Sequence, residues 1–224
     1  MTKGQIACLM NHWPQALHDM RPPTHAKDIT NYAETIVALG YGEKYDEDIY
    51  VQLLSFISPL FDGCEKFIRL NSRSPKDRSQ KPVFTAEEAV AILSTSMRAT
   101  DDIMRLTTNN QQIFLYCTNY NHRIKNKEFR GFIHEREFIA LTQYDSNYHD
   151  QRYLIEAKGA AKALAKSLLS IIPMDNFVFD FWFDTAAHFI EINPWGLSDP
   201  ILLDYDTMDN DFAFLSPVKV PLHV

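Results

Sequence analysis

The stretch Phe177–Gly196, FVFDFWFDTAAHFIEINPWG, decides how this chain is read. An apolar run interrupted by Asp180 is followed by a short polar turn and by a second run, HFIEIN, that carries Glu191. Short apolar runs bounded by turn residues read as strands, and so brief a connection makes them a hairpin. With the turn at Asp184–Ala187, Phe183 faces His188 and Asp180 falls opposite Glu191, while the two-residue strand period puts Asn193 on Glu191's face. Carboxylates directly across a ladder repel one another unless a cation lies between them. Two carboxylates and an amide oxygen are hard donors suited to Mg²⁺ that shares substrate phosphate oxygens, which makes Asp180, Glu191 and Asn193 candidate metal ligands. The alternative is that one carboxylate simply faces solvent on an exposed sheet.

Working upstream, Arg152–Ile172 places Leu154, Ala157, Ala161, Leu164, Ala165 and Leu168 at helical spacing. Before it, EFRGFIH and EFIALTQ (128–143) alternate around a very tight turn near Glu135–Arg136 and read as another hairpin. Arg130 stands inside the first of these strands, and a buried arginine needs an anionic partner, either a phosphate or a neighbouring Glu. QIFLYC (112–117) reads as a buried strand and KFIRLN (66–71) as another, from which Arg69 projects. The polar loop SRSPKDRSQKP follows, where Arg73 and Lys76 offer a fork and a point charge that would close over phosphates. Thr85 to Glu88 has capping-box spacing before a helix to about Arg98, and Thr100–Leu106 reads as a further short helix. The first sixty residues read as helices, with Thr30 capping Asn31–Leu39 and Asp46 capping a helix through Phe56, after a break at Arg21–Pro22–Pro23. Strands and helices mix without βαβ alternation, so the expected class is α+β with largely antiparallel sheets flanked by helices.

Composition narrows the function. The 224 residues carry 22 Lys+Arg against 29 Asp+Glu, a net charge of −7, which disfavours a general nucleic-acid binder. A hydrophobic fraction of 46% with 23% charged residues suits a packed core rather than disorder. The apolar runs are too short to span a bilayer, and no export signal is expected at the N-terminus. Cys8, Cys64 and Cys117 are odd in number and far apart, which fits a reducing, cytoplasmic setting rather than a disulfide framework. Neither a GxGxxG turn nor a GxxxxGK[ST] loop occurs, which removes two nucleotide folds; GxSxG and HExxH are absent as well. The Tyr144, Tyr148 and Tyr153 cluster reads as packing, and Trp182 as core or pocket lining. The charges are segregated: Ser167 to Val218 holds nine acidic residues and no Lys or Arg, whereas Lys66, Arg69, Arg73, Lys76, Arg78 and Lys81 crowd into sixteen positions. Such runs are commonly just solvated faces; the acidic one is the more informative because its charges interrupt apolar strands.

KFIRLNSRSPKD, QIFLYCTNY, EFRGFIHEREFIALTQYD and FVFDFWFD…HFIEINPWGLSDPILLDYD, in that order, resemble the blocks of the cell division cycle protein 123 family, a divergent ATP-grasp group. The resemblance covers roughly Cys64 to Asp206. It implies an ATP-grasp-like fold of two small lobes around a nucleotide cleft, with ATP and Mg²⁺ as cofactors. By position it implies that Asp180, Glu191 and Asn193 hold Mg²⁺, and that Arg69 stands where the family has a strand lysine on the phosphates. Arg73 and Lys76 would belong to the closing loop, the backbone around Leu115, Tyr116 and Cys117 would pair with adenine, and Arg130 would lie near the γ-phosphate. Asp199 matches a further acidic position. Glu191 departs from the family's usual Asp. The implied organisation is a helical region at 1–63, an ATP-grasp-like core at 64–206 and a tail at 207–224. The implied role is that of an assembly chaperone for eukaryotic translation initiation factor 2, with a protein client. The alternative is an ATP-dependent ligase or phosphotransferase acting on a small molecule or protein.

Overall fold

A computed structural model describes residues 1–78, 81–124, 127–144 and 151–208, so the expectations placed on Tyr148, Asp209, Asp211 and nearly all of the 207–224 tail lie outside the described residues. The elements in chain order are α1 (Lys3–Ala7), α2 (Gln15–Asp19), β1 (Thr24–Asp28), α3 (Ala33–Tyr41), α4 (Glu47–Ile57), β2 (Lys66–Leu70), α5 (Ala86–Thr95), α6 (Met97–Thr108), β3 (Phe114–Asn119), β4 (Glu128–His134), β5 (Glu137–Gln143), α7 (Gln151–Ile171), β6 (Phe177–Phe183) and β7 (Ala187–Pro194). Contacts divide the chain into two compact units, one of residues 1–13 and 22–121, the other of 14–21 and 122–224. The division differs from a boundary at residue 63, because β1 is part of the first unit's sheet. The mixed α+β class with antiparallel sheets is as expected.

In the first unit, β3 is the centre of a three-stranded antiparallel sheet ordered β1-β3-β2. One sheet face, with Ile68, Leu70, Leu115 and Cys117, joins Ile36, Leu53, Val90, Leu93, Ile103 and Leu106 in a single core. The caps are where the sequence places two of them: Asp46 accepts from the amides of Asp48 and Ile49, and Thr85 accepts from that of Glu88. Thr30 is different. It sits in a 3-10 turn before α3, and its hydroxyl accepts from the Ile113 amide instead of capping the helix. Helices α3 and α5 approach so closely at Gly40 that a Cβ there would lie 2.2 Å from the Ser94 carbonyl oxygen. Ordinary side chains essentially never sit that close, so only glycine allows the crossing.

In the second unit, the order β5-β4-β6-β7 makes one four-stranded antiparallel sheet. Glu135 and Arg136 both take left-handed φ, 49° and 64°, which gives the two-residue β4–β5 turn the twist a hairpin needs. Every residue of β6 is buried. Both faces of the sheet are covered, which explains why so apolar a strand can also hide a carboxylate. On one face Phe129, Phe181 and Phe183 pack with Tyr153 of α7. On the other, Phe132, Ala140 and Val178 lie beneath Trp195, Leu203, Tyr205 and Met208. At Gly131 an added Cβ would stand 2.2 Å from the Phe179 ring, so the glycine is the space that ring fills.

Among the described residues no helix is long and apolar enough to cross a membrane.

Candidate functional site

The last hairpin sets the second unit's polar cluster. Its turn is one residue tighter than the spacing suggests: Phe183 pairs with Ala187 and Trp182 with His188, not Phe183 with His188. A bulge then intervenes at Ile190, after which Asp180 pairs with Glu191 and Val178 with Asn193. Without that extra residue Asp180 would face Ile190, and Glu191 would turn to the α7 side of the sheet. The bulge therefore restores the expected opposition, and Asp180, Glu191 and Asn193 share one face.

The cation against Asp180 is a side chain. Arg130, directly opposite Asp180 on β4, donates from Nε to Oδ1 and from Nη2 to Oδ2, both at 2.7 Å. The arginine is 4% exposed and the aspartate 2%. Arg130 also donates to the Asp199 carbonyl and lies 5.1 Å from the Tyr144 ring centroid. Asn193 donates its amide to Asp180 Oδ2 at 3.1 Å. Burial alone would lower the Arg130 pKa, but the charges of Asp180 and Glu191 and the hydrogen bonds to Asp180 outweigh it and raise it above the ordinary guanidinium value. The anion that takes the fork of Arg130 is an Asp fifty residues away.

In donor type, Asp180, Glu191 and the Asn193 amide oxygen suit a hard divalent ion. Asp180 would be shared with Arg130, and the Asn193 amide would have to present its oxygen instead of its nitrogen. Among the described residues no cluster of three His, Cys, Asp or Glu side chains is placed to hold a metal. At the far end of the hairpin Trp182 is buried and stacks on His188, centroids 3.9 Å apart, while His188 Nε2 lies 3.1 Å from Asp184. Trp182 is a stacking partner rather than an open pocket wall.

The first unit carries the basic residues. Arg69 pairs across from Tyr116, is buried, and curls onto its own turn, donating from Nε to the Leu70 carbonyl and from Nη2 to that of Ser72. Arg73 is not held out toward an anion. Its Nε and Nη2 bond to the two oxygens of Asp102 at 2.9 and 2.6 Å, and that contact raises its pKa above the usual arginine value despite partial burial. The fork expected to close over phosphate is thus filled by a carboxylate of the protein. Lys76 lies half-buried on the same loop.

The backbone expected to pair with adenine lies on β3. β3 is flanked by β1 and β2 along Leu115–Thr118, so the amides and carbonyls of Leu115, Tyr116 and Cys117 are used alternately by the two neighbours. Side chains offer no substitute at Leu115 and Cys117, which face the core. Burial pushes the Cys117 thiol up to about 11.

Sequence reasoning missed Asn71 and Asp102. Asn71, wholly buried, donates to the Asn11 side chain and the Gln112 carbonyl and accepts from the Phe114 amide. Asp102 gathers Ser72, Arg73 and Arg105. The available signal was a carboxylate at helical spacing among Ala99, Ile103 and Leu106 on the buried stripe of α6.

Comparison with known proteins supplies the rest. A family model described as D123 matches residues 65–217. A curated relative from Sclerotinia sclerotiorum, a translation initiation factor eIF2 assembly protein, is 28% identical over 188 residues, which is 73% of this chain and 45% of the relative. The chain thus spans about half the length of that relative. The structure of Cdc123 from Schizosaccharomyces pombe superposes with a TM-score of 0.76 at 22% identity, over 92% of this chain and 91% of that one. A C-terminally truncated form of it gives 0.76 at 21%, over 94% of each chain. These two likenesses establish a shared fold.

Proposed function

The chain belongs to the D123 family, and from that premise we propose that it binds ATP with Mg²⁺ and acts as an assembly factor for a translation initiation factor of the eIF2 type. The observation that carries the nucleotide half is the facing pair Asp180 and Glu191, with Arg130 against Asp180. Two carboxylates and an amide oxygen on one sheet face are hard donors of the kind a divalent cation takes. Asp180, Glu191 and Asn193 would hold Mg²⁺, and the charge supplied there would be of the sign that phosphate oxygens need.

The chain's own contribution is positioning. Arg130 holds Asp180 aligned, the Ile190 bulge delivers Glu191 to the same face, and Asn193 completes the oxygen set. Adenine contacts belong outside the paired stretch of β3. The client half of the proposal rests on the relative whose printed name is an eIF2 assembly protein.

Calorimetric titration with ATP, with and without Mg²⁺, tests the nucleotide half. Wild type is expected to bind only with the metal, and Glu191→Gln, which removes a ligand charge and keeps the side-chain shape, to bind at least about tenfold more weakly. Equal affinity of the two proteins, or binding indifferent to Mg²⁺, overturns it. Affinity capture that retains eIF2 supports the client half; capture that recovers no translation factor removes it.

A further inference from the structure

Helix α7 buries one face, with Ala157, Ala161, Leu164 and Leu168. Its opposite face works against the stability of the helix itself. Lys158, Lys162 and Lys166 stand four residues apart, so they form one row at a pitch of about 6 Å. No Asp or Glu stands three or four residues from any of them, and like charges at that spacing destabilise a helix. Burial and the Lys162 charge hold the Lys158 pKa below the ordinary lysine value. Nor does the row serve the negative end of the helix. The last turn holds no basic residue, and the Arg136 guanidinium donates there to the carbonyls of Leu169, Ile172 and Met174. Beside the lysines runs a second row, Ile155, Gly159, Ala163 and Ser167, all exposed, Ile155 at 70%. Glycine weakens a helix interior, yet nothing lies within 4 Å of a Cβ built at Gly159, so no contact inside the protein requires it. Ser167 turns its hydroxyl back onto the Ala163 carbonyl, which leaves the row shallow.

We propose that this face of α7 docks an acidic amphipathic helix of a partner protein, with the partner's carboxylates along the lysine row and its backbone close over Gly159 and Ala163. The proposal stands apart from the nucleotide reading. Charge complementarity selects the occupant. A lysine row on a chain of net charge −7 takes an acidic partner, whereas the same face of a second copy would set lysine against lysine. Helical geometry selects its form. Carboxylates four residues apart on a facing helix repeat at the same pitch of about 6 Å. Side chains no larger than hydrogen and methyl let two helix axes approach to the short end of the usual packing range, about 8 Å. Ile155 supplies an apolar anchor at one end of the row. A lipid surface would need a broad apolar face, and Ile155 is the one large apolar side chain exposed on α7 among the described residues. The lysine row, the mid-helix glycine and the exposed isoleucine each cost α7 alone, and all three are recovered at one interface.

The probe is a fluorescent, Ala-rich peptide of about twenty residues, long enough to be helical, with Glu at every fourth position and a leucine stripe beside them. Its binding to the full chain is followed by anisotropy. Wild type is expected to bind it, and more weakly as salt rises. Lys162→Gln with Lys166→Gln is expected to bind at least about tenfold more weakly. Gly159→Leu is expected to lose at least about tenfold in affinity while its thermal midpoint stays at or above that of wild type, because leucine is the better helix former and fills the space the partner needs. A role confined to holding α7 together would not give that split. Wild type that ignores the peptide overturns the proposal. So do variants that bind like wild type, and a scrambled peptide of the same composition that binds equally well. Tighter binding to phosphatidylserine vesicles or to a single-stranded oligonucleotide than to the peptide overturns it too, as does sedimentation showing a wild-type dimer that the lysine substitutions dissociate.

Discussion

In the first unit one carboxylate, Asp102, gathers two arginines and a serine; in the second, one arginine, Arg130, lies against two carboxylates. Both clusters have a buried ionic centre, yet they differ in exposure. Around Asp102 the cluster reaches outward, since the Arg73 side chain is 42% exposed. Around Arg130 it is shut in, with both partners of the ion pair nearly inaccessible. The comparison also says where the free energy sits. An inaccessible pair broken on one side leaves an uncompensated charge, whereas a half-exposed one is relieved by water.

The largest expected effect follows from that asymmetry. Arg130→Met should destabilise the protein by about 3–5 kcal/mol in urea unfolding, because Asp180 is left buried and unpaired. The double variant Arg130→Met with Asp180→Leu should recover most of the loss, since replacing both members removes the charge along with its partner. A single variant that costs under about 1 kcal/mol, the range of exposed pairs, would erase the contrast between the two clusters. Next in size is Gly131→Ala, at about 1–3 kcal/mol, because the new methyl would collide with the Phe179 ring beneath the Arg130 strand. Gly159→Ala in α7 is its control: nothing lies within 4 Å of the added Cβ, and the helix should gain about 0.5–1 kcal/mol. Arg73→Gln, at the half-exposed cluster, should cost no more than about 1 kcal/mol of stability.

Much of this architecture was legible beforehand, and the exceptions have physical causes. Local signals carried well: Asp46 and Thr85 cap as their spacing implies, and the apolar runs at 128–143 and 177–193 form hairpins. The opposition of Asp180 and Glu191 was legible although the turn was misplaced, because a turn one residue shorter and a bulge of one residue cancel. What failed depends on distant partners. THAKD in β1 lacks strand alternation and is a strand because β3 offers it an edge. The partner of Arg130 lies fifty residues on, and nothing local separates Asp180 from a phosphate or a Glu. Likewise, that Leu115–Cys117 cannot spare backbone groups is visible only once β1 is known to occupy β3's second side.

The smallest effects concern single ionisable groups. Asp184 accepts from the Thr185 and Ala186 amides and lies against His188, which together hold its carboxyl well below the ordinary range. A depressed folded-state pKa gives stability that is present above the unfolded value of about 3.9 and lost as pH falls toward the folded one. Asp184→Asn should therefore flatten the stability profile below about pH 4, and an unchanged acid limb would show that the turn does not bind this carboxylate as described.

The thiols sharpen the comparison further. Cys64 is exposed, whereas Cys8 and Cys117 are buried, and Cys117 titrates near 11 because its burial disfavours the thiolate. With a thiol reagent at pH 8, Cys117 should react at least a hundredfold more slowly than the exposed Cys64, as both its access and its thiolate population are suppressed. Because Cys117 lies on the central strand of the first unit, its labelling reports opening of that sheet. Arg130→Met should leave its rate unchanged if the two units hold their cores independently, whereas faster labelling would show that loss of the second unit's buried pair loosens the first.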